Sequence, residues 1–314
     1  MNQKTMSSLI LLLVLSAIFC CGCEGGDTAA SSSDSSAADS GPLRDNTPHV
    51  LEPKADGSAS HGTDIVKIDA SHTGQGYVMV QYSGSNSKVK LQVKAPDGSA
   101  YVYLLSQKGE YETFPLSAGS GNYALTVFEN VSGDMYSTAF SQDIQADIED
   151  EFLPFLYPNQ YVWFTKESKA VDKGKDLVAK AHSDLQAVEA IYEYVIGNIS
   201  YDEVKAANIS YGYLPVVDDT LKDGKGICFD YAALMAAMLR SQNIPTKLEV
   251  GYASEAYHAW ISVYLKEAGW IDDIIEFDGN SWTLMDPTFA ASNDKSDLKD
   301  YIGGGDNYQL KYSY

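Results

Sequence analysis

Between residues 63 and 148 the hydrophobic positions recur every second residue. Val89, Leu91 and Val93 alternate with Lys88, Lys90, Gln92 and Lys94, the pattern of a strand with one face on a core and a lysine-rich face in water. Similar runs cover 76–82, 101–105, 121–129 and 135–144. Turn-forming clusters separate them: Ser83-Gly84-Ser85-Asn86, Pro96-Asp97-Gly98, Gly119-Ser120-Gly121-Asn122 and Ser132-Gly133-Asp134. Short strands at this spacing, with no helical period among them, predict a small antiparallel β-sandwich over 63–148. Its Tyr101, Tyr103, Tyr111 and Tyr123 are read as sandwich filling and sheet surface rather than as a ligand platform. No chemistry is assigned to this segment.

Beyond residue 149 the period changes. Leu185, Val188, Ile191, Tyr192 and Val195 mark one face of a helix with Ser183 in place to cap it. A second helix follows Cys228, running through Phe229-Asp230-Tyr231-Ala232-Ala233-Leu234-Met235-Ala236-Ala237-Met238-Leu239-Arg240, a stretch of strong helix formers. It should stop at Gln242-Asn243-Ile244-Pro245, where Asn243 suits a left-handed cap and Pro245 cannot continue the helix. Strands are predicted at 246–252, 258–265, 281–286 and 308–314. Helices followed by antiparallel strands make 149–314 an α+β domain.

Charge narrows the function. With 22 Lys or Arg against 43 Asp or Glu in 314 residues, the net charge is −21, which repels a phosphate backbone and excludes nucleic acid as a partner. One stretch, 7–23, is long, apolar and uncharged. Lys4 precedes it, Leu9 to Phe19 form its apolar centre, and Gly22 stands directly before Cys23. This resembles a bacterial lipoprotein signal peptide over 1–22, with Cys23 as the lipidated residue; an ordinary secretory peptide or a single anchor helix are the alternatives. Residues 23–62 are rich in Ser, Ala, Gly and Asp and poor in large apolar side chains, the composition of a flexible tether. Together these segments predict a chain on the extracytoplasmic face of a bacterial cell membrane, with that membrane as a partner through an N-terminal lipid anchor.

Cysteine usage then isolates one thiol. Of four cysteines, Cys20, Cys21 and Cys23 lie in the signal, so Cys228 has no partner for an internal disulfide, and one cysteine is a poor start for structural zinc. Cys228 opens its helix directly after Gly224 and Gly226. Free N–H groups and the positive helix end stabilise a thiolate there, which predicts a lowered thiol pKa and an attacking sulfur, with the Cys228 N–H as an oxyanion donor. Gly224 and Gly226 would let substrate approach the backbone. His258 opens a strand in which Ala259, Ile261, Val263 and Leu265 alternate toward the core, so His258 and Trp260 face the other way. Asp286 ends a later strand, immediately before Pro287, and a pairing of the two strands would bring it to the same sheet edge as His258. Each residue alone has an ordinary structural explanation. Together they form a nucleophile, a base and an orienting carboxylate.

The motifs around them carry a resemblance. Gly224-Lys225-Gly226-Ile227-Cys228-Phe229-Asp230-Tyr231-Ala232, with Leu239-Arg240 and Ile244-Pro245, resembles the cysteine motif of the transglutaminase-like superfamily. Gly251-Tyr252, His258-Ala259-Trp260 and Trp282-Thr283-Leu284-Met285-Asp286-Pro287-Thr288 resemble its histidine and aspartate motifs in the same order, and Ile199-Ser200-Tyr201-Asp202 the segment upstream. The resemblance covers about half of the chain. It implies a papain-related α+β fold, catalytic Cys228, His258 and Asp286, no cofactor, and a protein or peptide substrate attacked at a peptide bond or glutamine amide. The alternative is a non-catalytic surface binding or scaffold lipoprotein that keeps the fold. Residues 271–280 depart from the pattern as a longer acidic segment, read as a solvated hairpin turning at Asp278-Gly279-Asn280 rather than as a lip selecting cationic groups. Carboxylate spacing of the EF-hand kind is missing, so calcium dependence is not expected. The second oxyanion donor is sought between Tyr201 and Tyr213.

Overall fold

The alternating half of the chain builds two antiparallel four-stranded sheets. The protein is described by a computed structural model over residues 41–253, 256–271, 275–277, 282–284 and 308–314. In chain order the strands are β1 (Ser60–Gly62), β2 (Val66–Asp69), β3 (Tyr77–Tyr82), β4 (Val89–Lys94), β5 (Ala100–Leu104), β6 (Tyr111–Pro115), β7 (Gly121–Ser132) and β8 (Met135–Ala146). One sheet has the order β1-β2-β3-β6, the other β5-β4-β7-β8. Val66, Ile68, Val78 and Val80 from the first and Leu91, Val93, Leu125 and Val127 from the second join one buried cluster, as the period-two pattern requires. Strand β6 has no such alternation because Glu112 and Thr113 are both buried. Glu112 is satisfied there by Ser106 N–H at 2.8 Å, Gln107 N–H at 3.0 Å and Gln160 Nε2 at 2.6 Å.

Residues 41–62 correct one expectation. Instead of ending a free tether they lie along the folded body. Arg44 pairs with Asp184 at 2.9 Å and donates to the Gln242 carbonyl at 2.7 Å, His49 N–H donates to the Ser241 carbonyl at 2.7 Å, and β1 pairs with β2. The local composition builds no core of its own, yet Arg44, Val50 and Leu51 find partners on surfaces formed by the rest of the chain. The expected signal peptide, Cys23 and the start of the tether lie outside the described residues.

The second half is mixed helix and sheet, so the architecture is α+β with a small all-β part. Helices α1 (Lys169–Leu177), α2 (Asp184–Asn198), α3 (Glu203–Asn208), α4 (Val217–Asp223) and α5 (Cys228–Ser241) are accompanied by short strands β9 (Ser200–Tyr201) and β10 (Lys225–Gly226). Ser183 caps α2 by accepting from Gln186 N–H. Helix α5 is buried all round from Asp230 to Ser241, which explains its run of alanines with no polar stripe. Gly174 of α1 lies so close to it that an added Cβ would sit 3.3 Å from Met238 Cβ. The helix ends where expected: Asn243 has φ 59°, and Pro245 follows.

Against α5 lies an antiparallel sheet of order β13-β12-β11-β16, made of β11 (Thr246–Ala253), β12 (Ala256–Leu265), β13 (Gly269–Ile271) and β16 (Tyr308–Ser313). A separate hairpin pairs β14 (Ile275–Phe277) with β15 (Trp282–Leu284). The strand of His258 therefore pairs with β11 and β13, while the strand leading toward Asp286 pairs with β14, not with β12, among the described residues. Asp286 and the 278–280 turn lie outside them. Arg240, at the end of α5, is fully buried and donates to the carbonyls of Thr246 at 2.9 Å, Tyr157 at 2.8 Å and Tyr314 at 2.7 Å. It thereby fixes α5 to β11 and to the end of β16. Tyr314 in turn packs edge-on against Tyr101 and Tyr103 of β5, so the sandwich and the mixed half share a tyrosine seam. Tyr103 and Tyr123 are buried, in keeping with the reading of these rings as filling.

Candidate active site

Cys228 is the first residue of α5, reached through a tightly built approach. Strands β9 and β10 pair in parallel, setting Tyr201 opposite Gly226. Gly224 has φ 63° and ends α4, its N–H bonding the Thr220 carbonyl. Gly226 is small for another reason: a Cβ there would lie 2.6 Å from Asp230 Cβ. The glycines thus serve a helix cap and the packing of Asp230. Asp230 is fully buried and accepts from Ile227 N–H at 2.8 Å, from Lys205 Nζ at 2.6 Å and from the Tyr213 hydroxyl. One carboxylate therefore caps the first turn of α5 and holds the 203–213 segment beside it. Asp202, which caps α3, has its carboxyl held below the usual range by Lys205 N–H and by Lys225.

His258 approaches from the sheet. It is buried on β12, with the Trp260 ring on the same strand face at 6.3 Å between centroids. The indole N–H of Trp260 donates to buried Glu249 at 2.9 Å, and Ser262 and Ser313 hydroxyls bond the same carboxylate. His258, Trp260 and Ser262 occupy one face of β12 and Ala259, Ile261 and Val263 the other, as predicted, but both faces are buried.

Cys228 and His258 line one cavity of about 460 Å³. Burial pushes the Cys228 thiol up; N–H groups of Ala259 and Phe229 pull the other way, and the Asp230 charge pushes it up again. Burial holds the His258 imidazole down at about 4. Among the described residues the helix-end effect expected from sequence is outweighed by desolvation, and both groups are pushed toward their neutral forms. Among the described residues no three His, Cys, Asp or Glu side chains come together as a metal site.

Sequence reading missed most of the wall. Tyr161, Tyr257, Tyr312 and Tyr314 line the cavity, and so do Val102 and Leu104 of the sandwich; they come from four separate segments and share no periodic signal. Tyr201, Tyr211 and Tyr213, in the region searched for a second oxyanion donor, also line it. The Tyr201 phenol is pushed up by burial first and by the neighbouring Cys228 next, so it stays protonated and able to donate.

Comparison with known proteins places this geometry. Residues 172–287 match the model of the transglutaminase-like superfamily. A UPF0252 protein of Methanocaldococcus jannaschii is 30% identical over 152 residues, covering 45% of this chain and 40% of that protein. Kyphoscoliosis peptidase of Mus musculus is 27% identical over 154 residues, covering 43% of this chain and 23% of the peptidase. The chain thus spans well under half the length of these curated relatives. Among solved structures, the periplasmic domain of TgpA from Pseudomonas aeruginosa is 16% identical with a TM-score of 0.32, covering 73% of this chain and 95% of that one. The span that holds Cys228 and His258 is a transglutaminase-like domain.

Proposed function

We propose that the protein is a thiol enzyme acting on peptide or glutamine amide bonds through an acyl-enzyme on Cys228. The observation that carries this reading is the meeting of Cys228, at the first turn of α5, with His258 and the Ala259 N–H at one cavity. Cys228 Sγ attacks the amide carbonyl as its proton passes to His258, and the Cys228 N–H faces the developing oxyanion. His258 then gives that proton to the departing amine, leaving a thioester. Water completes hydrolysis; an amine from lysine would complete transamidation. Asp286, from the aspartate motif, is assigned to hold the imidazolium.

The test incubates the protein with peptides containing Gln and Lys and reads the products by mass. Cleavage, a deamidation gain of about 1 Da and loss of ammonia with cross-linking are distinct outcomes. The Cys228→Ala protein should fold and lose all turnover; retained turnover refutes the proposal. The lipoprotein-like start supports a placement on the outer face of a cell membrane through lipid on Cys23. Incorporation of labelled palmitate that disappears in Cys23→Ser would support that anchor, and unchanged incorporation would refute it.

One observation favours a second reading, a non-catalytic module: both Cys228 and His258 are pushed toward their neutral forms. An inert thiol of that kind would resist iodoacetamide until the protein unfolds, whereas a working site alkylates in the folded state.

A further inference from the structure

The cavity at Cys228 has an unusual wall for this chain. A fifth of all residues are charged and the net charge is −21, yet no Asp, Glu, Lys or Arg lines the cavity among the described residues. Tyrosine, leucine and valine dominate it instead. A charged substrate group placed there would lose hydration and find no counter-charge among the described residues, whereas an apolar group gains by leaving water. The volume of about 460 Å³ is within the range of pockets that enclose whole ligand groups.

The wall is also rigid and comes partly from the sandwich. The Leu104 carbonyl is held by Gln160 Nε2 at 2.6 Å, and the same amide is braced by Glu112. Gly212 lies so tightly on Leu104 that an added Cβ would come within 2.4 Å of Leu104 Cδ1. Tyr213 is fixed by Asp230. At the mouth, Tyr211 and Tyr257 are 81% and 61% exposed, large aromatic surfaces facing water beside the apolar interior.

We infer that this cavity receives a large uncharged side chain of a peptide substrate, aromatic or branched aliphatic, next to the carbonyl attacked by Cys228, and that Val102 and Leu104 of the sandwich set its size. The inference rests on the proposed acyl-enzyme for its catalytic meaning. It gives the sandwich a role in substrate selection.

A labelling experiment separates this inference from the catalytic reading. The full chain is treated with 2-chloroacetamide and with N-benzyl-2-chloroacetamide, and alkylation of Cys228 is followed by peptide mass mapping. The urea-unfolded chain gives the intrinsic ratio of the two rates. In the folded protein the benzyl reagent should gain about tenfold or more over that ratio. Val102→Asp, at a half-exposed position, should cut the gain at least threefold, and Tyr257→Ala, at an exposed one, should cut it as well, both with unchanged far-UV spectra. A folded ratio equal to the unfolded ratio, or a gain untouched by both variants, overturns the inference. If the gain stands while no peptide is turned over, the catalytic reading fails and the cavity preference survives. If neither reagent reaches Cys228 in the folded chain, both fail.

Discussion

Asp230 is the most informative residue to disturb, because it joins the stability of the site to the acidity of its thiol. Its carboxylate is fully buried and meets Ile227 N–H, Lys205 Nζ and the Tyr213 hydroxyl. Asp230→Asn keeps the shape and an oxygen for Ile227 N–H, but presents a neutral amide to Lys205. Breaking a buried ion pair costs roughly 3–5 kcal/mol. The Lys205 side chain is 30% exposed and can turn to water, which reduces the expected loss to about 2–3 kcal/mol. The same substitution removes a negative charge that pushes the Cys228 thiol up, so the thiol should become more acidic. Two assays read the two effects. Urea unfolding at pH 7 should show the lower free energy with an unchanged slope, and iodoacetamide alkylation of folded protein should reach its half-maximal rate at a lower pH. Lys205→Met combined with Asp230→Asn should cost less than the sum of the single changes. A stability change below about 0.5 kcal/mol, or a thiol that becomes less acidic, would refute this account of the helix start.

Arg240→Met removes the guanidinium donor from three buried carbonyls, those of Thr246, Tyr157 and Tyr314, of which Tyr314 keeps Leu248 N–H; urea unfolding should show a loss of about 2 kcal/mol or more. His258, held at about 4 against an ordinary 6.5, binds its proton in the unfolded chain before it does in the folded one. Stability should therefore fall as pH drops from 6.5 to 4, with a His258 contribution of up to about 3 kcal/mol. His258→Gln should flatten that part of the urea-derived stability profile. Asn243→Ala puts at φ 59° a residue without the polar side chain that lets asparagine tolerate the left-handed region and should cost about 1 kcal/mol, while Asn243→Gly should be close to neutral in the same assay.

Local signals were strong where one physical rule governed a whole element. The alternation around Val89, Leu91 and Val93 located a strand, and the Asn243-Ile244-Pro245 stop marked the end of α5, because side-chain period and backbone preference are short-range. Strand β6 was missed because Glu112 is buried through partners as distant as Gln160, and no window on the sequence contains that bond. Helices α1, α3 and α4 were missed for a related reason. Helix α1 has its first N–H groups capped by Asp218, some fifty residues on, while α3 and α4 are one or two turns long and carry too little period to detect. The tether ended early because Arg44 meets Asp184 and Gln242. At the site, motif spacing singled out Cys228 and His258, which the fold brings to one cavity. It misjudged the thiol, since the helix end was visible in sequence and the burial that outweighs it was not. The tyrosine wall could not be anticipated, because it is assembled from segments joined only by the fold.

The central claim is that Cys228 becomes acylated. The direct measurement is acid quenching of the protein during incubation with a peptide carrying an internal Phe or Leu beside Gln, followed by mass analysis of the intact chain and its fragments. The account predicts a hydroxylamine-labile acyl adduct on Cys228, absent in Cys228→Ala and strongly reduced in His258→Gln. Peptide turnover with no adduct on Cys228, or an adduct that forms equally well without His258, would contradict it.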